Sequence, residues 1–193
     1  FPVDDRANTF IHPTSIKPLR TEKLFKEGGK ERAYKVDYAH SLYRAKVDKR
    51  SRNPDKPERQ RKFTKSIPGT THDALSWLVH VRTRDDLRVG ATFSYYIYDG
   101  WKLSRLDANV VGVEDVYTPM GWHRTWRIDL SREILNSRKN KKTGAPVLAV
   151  RTPAKPTGSL WLSQDDRRLP VKITMNSLHG MGEVVLVKYT KAP

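Results

Sequence analysis

Residues 161–175 read WLSQDDRRLPVKITM, in which two short alternating runs flank a charged turn. Apolar and polar residues alternate with a period of two on both sides of residues 165–168, which is typical of half-buried antiparallel strands. The acidic and then basic residues of the turn favour an exposed tip. We therefore expect a hairpin packed on a core, and nothing in it indicates catalysis. The apolar residues of the two runs are Leu160, Leu162, Val171, Ile173 and Met175.

Two glycine-containing turns predict further hairpins. Gly28-Gly29 separates alternating runs at residues 20–25 and 30–37 and supplies the positive φ that a tight turn needs. Asp99-Gly100 joins two aromatic-rich runs within residues 91–113 and is the strongest short-range hairpin signal in the chain.

The remaining runs predict more strands. An edge strand is expected near residues 8–12, and an alternating strand at residues 122–129. The final run, residues 183–190, is largely apolar on both faces, so we expect it near the centre of a sheet rather than at an edge.

One helix is expected, capped by Thr71 or Asp73 and ending near Arg82. Its predicted buried stripe consists of Leu75, Leu78, Val79 and Arg82 at helical spacing, and it is widened by Ala74, Trp77 and Val81. The prediction is a mostly β fold, namely one curved antiparallel sheet with a single covering amphipathic helix, in one domain over residues 1–193.

The positive charge is concentrated in two segments. The 193-residue chain has a formal net charge of +16. Residues 44–65 carry ten Lys or Arg against three acidic residues, and residues 132–155 carry seven against one. Two solvated basic loops are predicted at about 48–62 and 131–144, either as solubilising loops or as sites for a polyanion. The candidate polyanion-binding residues are Lys49, Arg50, Arg52, Arg59, Arg61, Lys62, Arg138, Lys139, Lys141 and Lys142.

Exposed aromatic side chains beside cations suit a sugar ring or an anionic lipid. Cross-strand packing explains the same aromatic rows without any ligand, and for the tryptophans a place in the core is the alternative. The candidate ligand-binding residues are Tyr96, Tyr98, Trp101, Trp122, Arg124 and Trp126.

The sequence indicates no reaction. The chain has no cysteine, which excludes disulfides, thiolate metal sites and a cysteine nucleophile. We expect no metal and no cofactor, and no run is apolar enough to cross a bilayer. A hydrolase would have to use scattered groups, and Asp165 and Asp166 are better explained as ion-paired turn residues. The scattered groups are His123, Asp129, Asp165 and Asp166.

Six motifs follow one another along the chain, namely Asp73-x-Leu75 with a helix to Arg82, Leu87-x-Val89-Gly90, Tyr98-Asp99-Gly100-x-Lys102, Thr118-Pro119-x-Gly121, the segment Trp161 to Val171, and Gly182-x-Val184-x-Leu186-x-x-Tyr189. In this order they resemble the exported bacterial proteins grouped as domain of unknown function 3108, and the similarity spans residues 1–189. The resemblance implies a periplasmic or other envelope location and a sheet curled into a half-barrel or open barrel. It implies no catalytic residues.

We therefore expect a non-catalytic envelope module that binds lipid, glycan or a protein partner. Binding of a polyanion or nucleic acid through the basic loops ranks second, because no helix-turn-helix, zinc finger or aromatic RNA-binding motif accompanies the charge. A hydrolase of unknown type ranks third.

Overall fold

The computed structural model describes residues 4–177 and 180–190. The fold is mostly β, with two sheets, one short α-helix and a 3-10 turn at His40–Leu42. The elements are β1 (Arg6–Ile11), β2 (Pro18–Glu27), β3 (Lys30–Ala39), β4 (Arg44–Asn53), β5 (Lys56–Ser66), β6 (Thr71–His72), α1 (Ala74–Arg82), β7 (Thr92–Ile97), β8 (Ser104–Thr118), β9 (Gly121–Lys139), β10 (Pro146–Ser163), β11 (Pro170–Ser177) and β12 (Gly180–Val185).

Strands β1 to β5 form one antiparallel sheet in chain order. The predicted hairpin at Gly28-Gly29 is confirmed, since both glycines have positive φ (53° and 78°) between β2 and β3. The edge strand predicted near residues 8–12 is also confirmed as β1, which pairs with β2 alone.

Strands β6 to β12 form a second sheet in the order β12-β11-β10-β9-β8-β7-β6. The hairpin predicted from residues 161–175 is confirmed as β10 and β11, and Leu160, Leu162 and Val171 are fully buried. The sequence predicted one curved sheet. Within the described ranges the strands form two sheets, and neither is closed into a barrel.

The contacts divide the chain into two compact units. Unit 1 comprises residues 1–80, 95–105 and 134–152, and unit 2 comprises residues 81–94, 106–133 and 153–193. The core of unit 1 includes the buried residues Val36, Tyr38, Val47, Ile67, Tyr98 and Leu103. In unit 2, Trp161, Leu169 and Val171 form a buried cluster with Val116 and Leu186 against it.

The prediction of a basic loop at 48–62 is wrong, because most of this segment lies in β4 and β5. Strand β4 pairs with β3 on one side and with β5 on the other, so its backbone is hydrogen-bonded along both edges. Asp48 lies opposite Lys62 in the register and relieves part of the repulsion between the cations. Cross-strand pairing of this kind overrides the loop signal of the like charges.

The loop predicted at 131–144 is also wrong over most of its length, because β9 continues to Lys139. Only a short turn follows. Asn140 closes it, since its backbone N–H donates to the carbonyl of Ala145 and its side-chain oxygen accepts from the N–H of Lys142.

The predicted helix is confirmed as α1, and its predicted buried stripe is confirmed at Trp77 and Val81 but wrong at Ala74 and Leu75. Leu75 is 39% exposed, whereas Ser76, Trp77 and Val81 are buried. Trp77 makes an edge-to-face contact with Tyr95 at a centroid distance of 6.2 Å. The large indole therefore decides which side of the helix is buried, and the four-residue spacing brings Val81 onto the same side.

The expectation of a central strand at residues 183–190 is wrong. Strand β12 ends at Val185 and is the terminal strand of its sheet among the described residues. Val184 and Val187 are exposed, so apolar residues on both faces do not mark burial on both faces here.

Candidate functional site

Three of the six predicted ligand-binding residues lie in unit 1. Tyr98 is fully buried, so its assignment to a ligand surface is wrong. Tyr96 is partly buried against the core. Trp101 is 68% exposed, and the Lys102 Nζ lies 4.5 Å from the centroid of its ring. Of these three candidates, only Trp101 and part of Tyr96 are therefore accessible to a ligand.

The other three residues lie in unit 2. Trp122 is 72% exposed and its ring lies 5.3 Å from that of Tyr117, itself 64% exposed. The alternative of a core position is therefore wrong for Trp122, whereas Trp126 is partly buried. Arg124 pairs with Asp115 at 3.3 Å. The exposed aromatic pair stands beside a neutralised ion pair.

Unit 2 also contains a groove of about 530 Å³ that sequence reasoning did not find. We call it the Trp161 groove, after the indole in its lining, which is itself buried with 7% exposure. Other lining residues are Arg127, Asp129, Ser159, Lys172, Thr174 and Glu183.

The strand register explains why these side chains meet. Trp161 on β10 lies opposite Lys172 on β11, and Ser159 lies opposite Thr174. Glu183 on β12 is the next partner across, opposite Thr174. Because directly opposite residues point to the same face of a sheet, one face of three strands becomes the polar surface of the groove.

Hydrogen bonds hold the polar side chains of the groove in place. The carboxylate of Asp129 accepts from Arg127 Nε at 3.0 Å and from the Ser159 hydroxyl at 2.7 Å. The backbone N–H of Ser159 donates to the Thr174 hydroxyl at 3.1 Å. The surface therefore presents fixed donors and acceptors.

The Trp161 indole is bound on several sides. Its N–H donates to the carboxylate of Glu114. The Lys172 Nζ lies 5.1 Å from the centroid of the ring and the Arg127 guanidinium lies 5.7 Å from it, both within cation–π distance.

The groove is electrically balanced. Lys172 pairs with Glu183 at 2.7 Å, and Arg127 pairs with Asp129 at 3.0 Å. Two cations thus face two carboxylates among these lining residues. A surface of this kind offers hydrogen bonds to hydroxyl groups without attracting a net charge.

The alternation around residues 159–161 and 172–174 was a usable signal for the groove. It places Ser159 and Trp161 on one face of the first strand, and Lys172 and Thr174 on one face of the next. The third strand, which brings Glu183, could not be placed from the sequence.

The four residues considered for a hydrolase do not form one constellation. His123 Nε2 lies 3.1 Å from the Thr118 hydroxyl, and Asp129 is engaged by Arg127 and Ser159. Asp165 forms the expected ion pair with Arg167 in the turn. No hydrogen bond or ion pair of the described residues links any two of His123, Asp129, Asp165 and Asp166.

The surroundings of Asp165 favour its ionised form. Partial burial raises the pKa of this carboxyl, but hydrogen bonds from Ser163 and Arg167 outweigh burial and bring the pKa below its ordinary value. A carboxylate with a lowered pKa is a poor general acid. In the described ranges no three His, Asp or Glu side chains converge as a metal site would require, and no helix is long and apolar enough to cross a bilayer.

The basic candidates separate by face. In the β4–β5 register Lys49 lies opposite Arg61 and Ser51 lies opposite Arg59, so these three cations share one face. Arg50, Arg52 and Lys62 belong to the other face by the same alternation. The remaining four lie elsewhere in unit 1, at the end of β9 and in the turn after it, and are Arg138, Lys139, Lys141 and Lys142.

Comparison with known proteins identifies a family. The model of the family described as "Protein of unknown function (DUF3108)" matches residues 1–187. This confirms the resemblance that the sequence motifs indicated. No curated protein and no solved structure matches the chain.

Proposed function

We propose that this chain, which belongs to the DUF3108 family, is a non-catalytic binding module of the bacterial envelope that holds a neutral glycan in the Trp161 groove. The envelope location and the half-barrel curl of the sheet are parts of the proposal that derive from the resemblance to exported proteins.

The observation that carries the proposal is the balanced polar surface of the groove. A polyanion gains little from cations that are already paired with carboxylates. The lining also includes Leu130, Pro156 and Met181, but an acyl chain would remove water from the hydroxyl and carboxylate groups beside them without replacing its hydrogen bonds. A neutral sugar presents hydroxyls that both donate and accept. Such hydroxyls match the fixed donors and acceptors on Arg127, Asp129, Ser159 and Lys172.

The same contacts are the reason why we propose no catalytic activity for the groove. Asp129 is held by Arg127 and Ser159, and Lys172 is held by Glu183. The groove is therefore proposed to bind sugar without cleaving it.

The test is titration of the chain with neutral oligosaccharides of glucose and of N-acetylglucosamine, followed by calorimetry and by the intrinsic tryptophan fluorescence. We expect saturable binding. Asp129→Asn combined with Lys172→Met should weaken it about tenfold, equivalent to about 1.4 kcal/mol. Trp101→Ala, which removes an exposed tryptophan in unit 1, is the matched control and should leave the affinity unchanged.

Three outcomes would count against the proposal. They are no binding to any neutral oligosaccharide, equal weakening by the groove variant and the control, or release of shortened sugars, which would indicate a hydrolase. Lipid found by mass spectrometry in the purified protein would favour the lipid alternative. Fractionation of cells that produce the natural protein tests the envelope location separately.

A further inference from the structure

We propose that one face of the β4–β5 hairpin in unit 1 is a second binding site, specific for an acidic polysaccharide. We call it the cationic face and define it by Lys49, Arg59 and Arg61. It goes beyond the glycan groove proposed above, since it uses other residues and binds an anionic ligand rather than a neutral one.

The register aligns the three cations. Lys49 lies directly opposite Arg61, and Arg59 lies two residues further along β5. Neighbouring strands are about 5 Å apart, and two residues along a strand span about 7 Å. Charges repeated at these intervals match a chain that bears an anionic group on every sugar or every second sugar.

The two faces of the hairpin differ in how their charge is compensated. On the opposite face Asp48 lies 3.8 Å from Arg50 and 4.0 Å from Lys62, and it accepts hydrogen bonds from Gln60. On the cationic face no ion pair joins Lys49, Arg59 or Arg61 to a carboxylate, as far as the described ranges 4–177 and 180–190 extend. One carboxylate, Asp48, therefore lies among the three cations of the opposite face, whereas the three cations of the cationic face have none paired with them in the described ranges.

Aromatic rings hold two of these cations in place. The Lys49 Nζ lies 5.1 Å from the centroid of Tyr34, which is buried, and the Arg61 guanidinium lies 5.3 Å from that of Phe63, which is partly buried. Rings used in this way position a cation and pre-organise the face. Because Tyr34 is buried and Phe63 is partly buried, these rings offer a nucleic-acid base little surface on which to stack, so we expect the face to recognise charge and not bases.

A bilayer is a poorer partner for this face. Membrane-surface binding combines cations with apolar side chains that enter the acyl region. None of the exposed large apolar side chains of the described residues belongs to β3, β4 or β5. The charge of the face therefore complements an extended, hydrophilic polyanion better than a bilayer.

The experiment measures binding of the full chain to polygalacturonate across a range of salt concentrations, with single-stranded DNA and phosphatidylglycerol vesicles in parallel. Binding to polygalacturonate should weaken steeply with salt. Lys49→Gln, Arg59→Gln and Arg61→Gln together should reduce it by roughly tenfold or more, because they remove three charge contacts.

The matched control is Arg50→Gln with Arg52→Gln and Lys62→Gln, which removes the same net charge from the opposite face. It should change the affinity less than about threefold if the face, rather than the total charge, is recognised. The Trp161 groove variant should leave polygalacturonate binding unchanged, so failure of this site and failure of the groove are distinguishable.

Equal effects of the two triple variants would overturn the proposal, as would no binding to polygalacturonate. Tighter binding to DNA or to vesicles that the cationic-face variant abolishes would assign the face to another class of polyanion and overturn it too. Circular dichroism confirms that the variants fold. If the triple variant does not fold, Arg59→Gln alone, on an exposed side chain, should still lower the affinity about twofold to threefold.

Discussion

The Tyr38 hydroxyl donates a 2.7 Å hydrogen bond to the main-chain carbonyl of Tyr98, whereas the buried Tyr98 hydroxyl has no hydrogen-bond partner among the described residues. Two tyrosines in one core thus differ in whether their polar atom is satisfied. Burial raises the pKa of both phenols above the ordinary value, so both are neutral at physiological pH.

This difference predicts opposite effects of removing the two hydroxyls. Tyr38→Phe should lower the free energy of unfolding by about 1–2 kcal/mol, because it leaves the Tyr98 carbonyl without its donor. Tyr98→Phe should be neutral or stabilising, since it removes an unsatisfied polar atom from the core. Urea unfolding of the two variants measures both values. A larger loss for Tyr98→Phe than for Tyr38→Phe would contradict the hydrogen-bond assignment.

Gly158 is expected to tolerate no side chain. A Cβ at this position would lie 2.8 Å from the carbonyl carbon of Thr174 and 3.0 Å from the Cα of Met175, and its φ of 147° is one that L residues rarely adopt. Gly158→Ala should therefore cost about 2–4 kcal/mol through overpacking and backbone strain.

Gly112→Ala is the control for this substitution, because nothing lies within 4 Å of its Cβ position. The free energy of unfolding of this variant should stay within about 0.5 kcal/mol of the parent value. Chemical denaturation compares the two alanine variants. If both cost the same, the close approach of β10 and β11 at Gly158 is not what constrains that position.

The N-terminus of α1 depends on Asp73. Its carboxylate accepts from the backbone N–H of Ser76 at 2.7 Å, and its own N–H donates to the Ser76 hydroxyl at 3.0 Å. The hydroxyls of Thr9 and Thr21 also donate to this carboxylate. Asp73→Ala should cost about 2–4 kcal/mol, more than a helix cap alone, because three donors lose their acceptor.

Asp85→Ala, at an exposed carboxylate, is the comparison for Asp73→Ala and should change the melting temperature little. Thermal unfolding followed by circular dichroism suffices for both. A loss of no more than about 1 kcal/mol at Asp73 would show that it acts only as a cap.

The buried His72 predicts a dependence of stability on pH. Burial, and next the neighbouring His80, whose ring centroid lies 4.8 Å away, lower the pKa of His72 to about 4 from 6.5, with Asp73 acting in the opposite direction. The unfolded chain therefore binds more protons than the folded chain between about pH 4 and 6.5. Stability is fully present above that window and falls as the pH falls through it.

The slope of this loss should approach about 1.4 kcal/mol per pH unit, to which His40 adds in the same direction because burial lowers its pKa too. Urea unfolding from pH 4.5 to 7.5 measures it. His72→Asn should flatten the slope, whereas Gly112→Ala, which removes no titratable group, should leave it as it is. An unaltered slope in His72→Asn would place the titration on another residue.

Local sequence signals worked best where they involve neighbours along the chain. Gly28-Gly29 and the segment 161–175 predicted their hairpins because turn geometry and alternation are set within a few residues. These signals failed where pairing with another strand, rather than local sequence, determines whether a segment is ordered. Residues 48–62 read as a loop from their charge, yet β3 on one side and β5 on the other order the backbone of β4.

The candidate site shows the same division. Alternation along β10 puts Ser159 and Trp161 on one face, but Asp129 and Glu114 reach them from other strands, and Glu183 reaches Lys172 from β12. The sequence does not distinguish the exposed Trp122 from the buried Tyr98, because both side chains lie in similar alternating runs. Whether a side chain is buried depends on what packs against its strand. The alternation of apolar and polar residues does not indicate this.

By itself the sequence determined that the chain is mostly β with one short helix, that it belongs to its family, and that it carries a large positive charge. These depend on local periodicity, turn chemistry and composition, each of which can be read within a short window. Only the tertiary structure decided that the strands form two sheets, that Asp48 lies among the cations on one face of β4–β5 and pairs with none on the other, and that a neutral polar groove surrounds Trp161. These depend on which strands lie side by side and in what register, and a shift of one residue would turn each side chain to the opposite face.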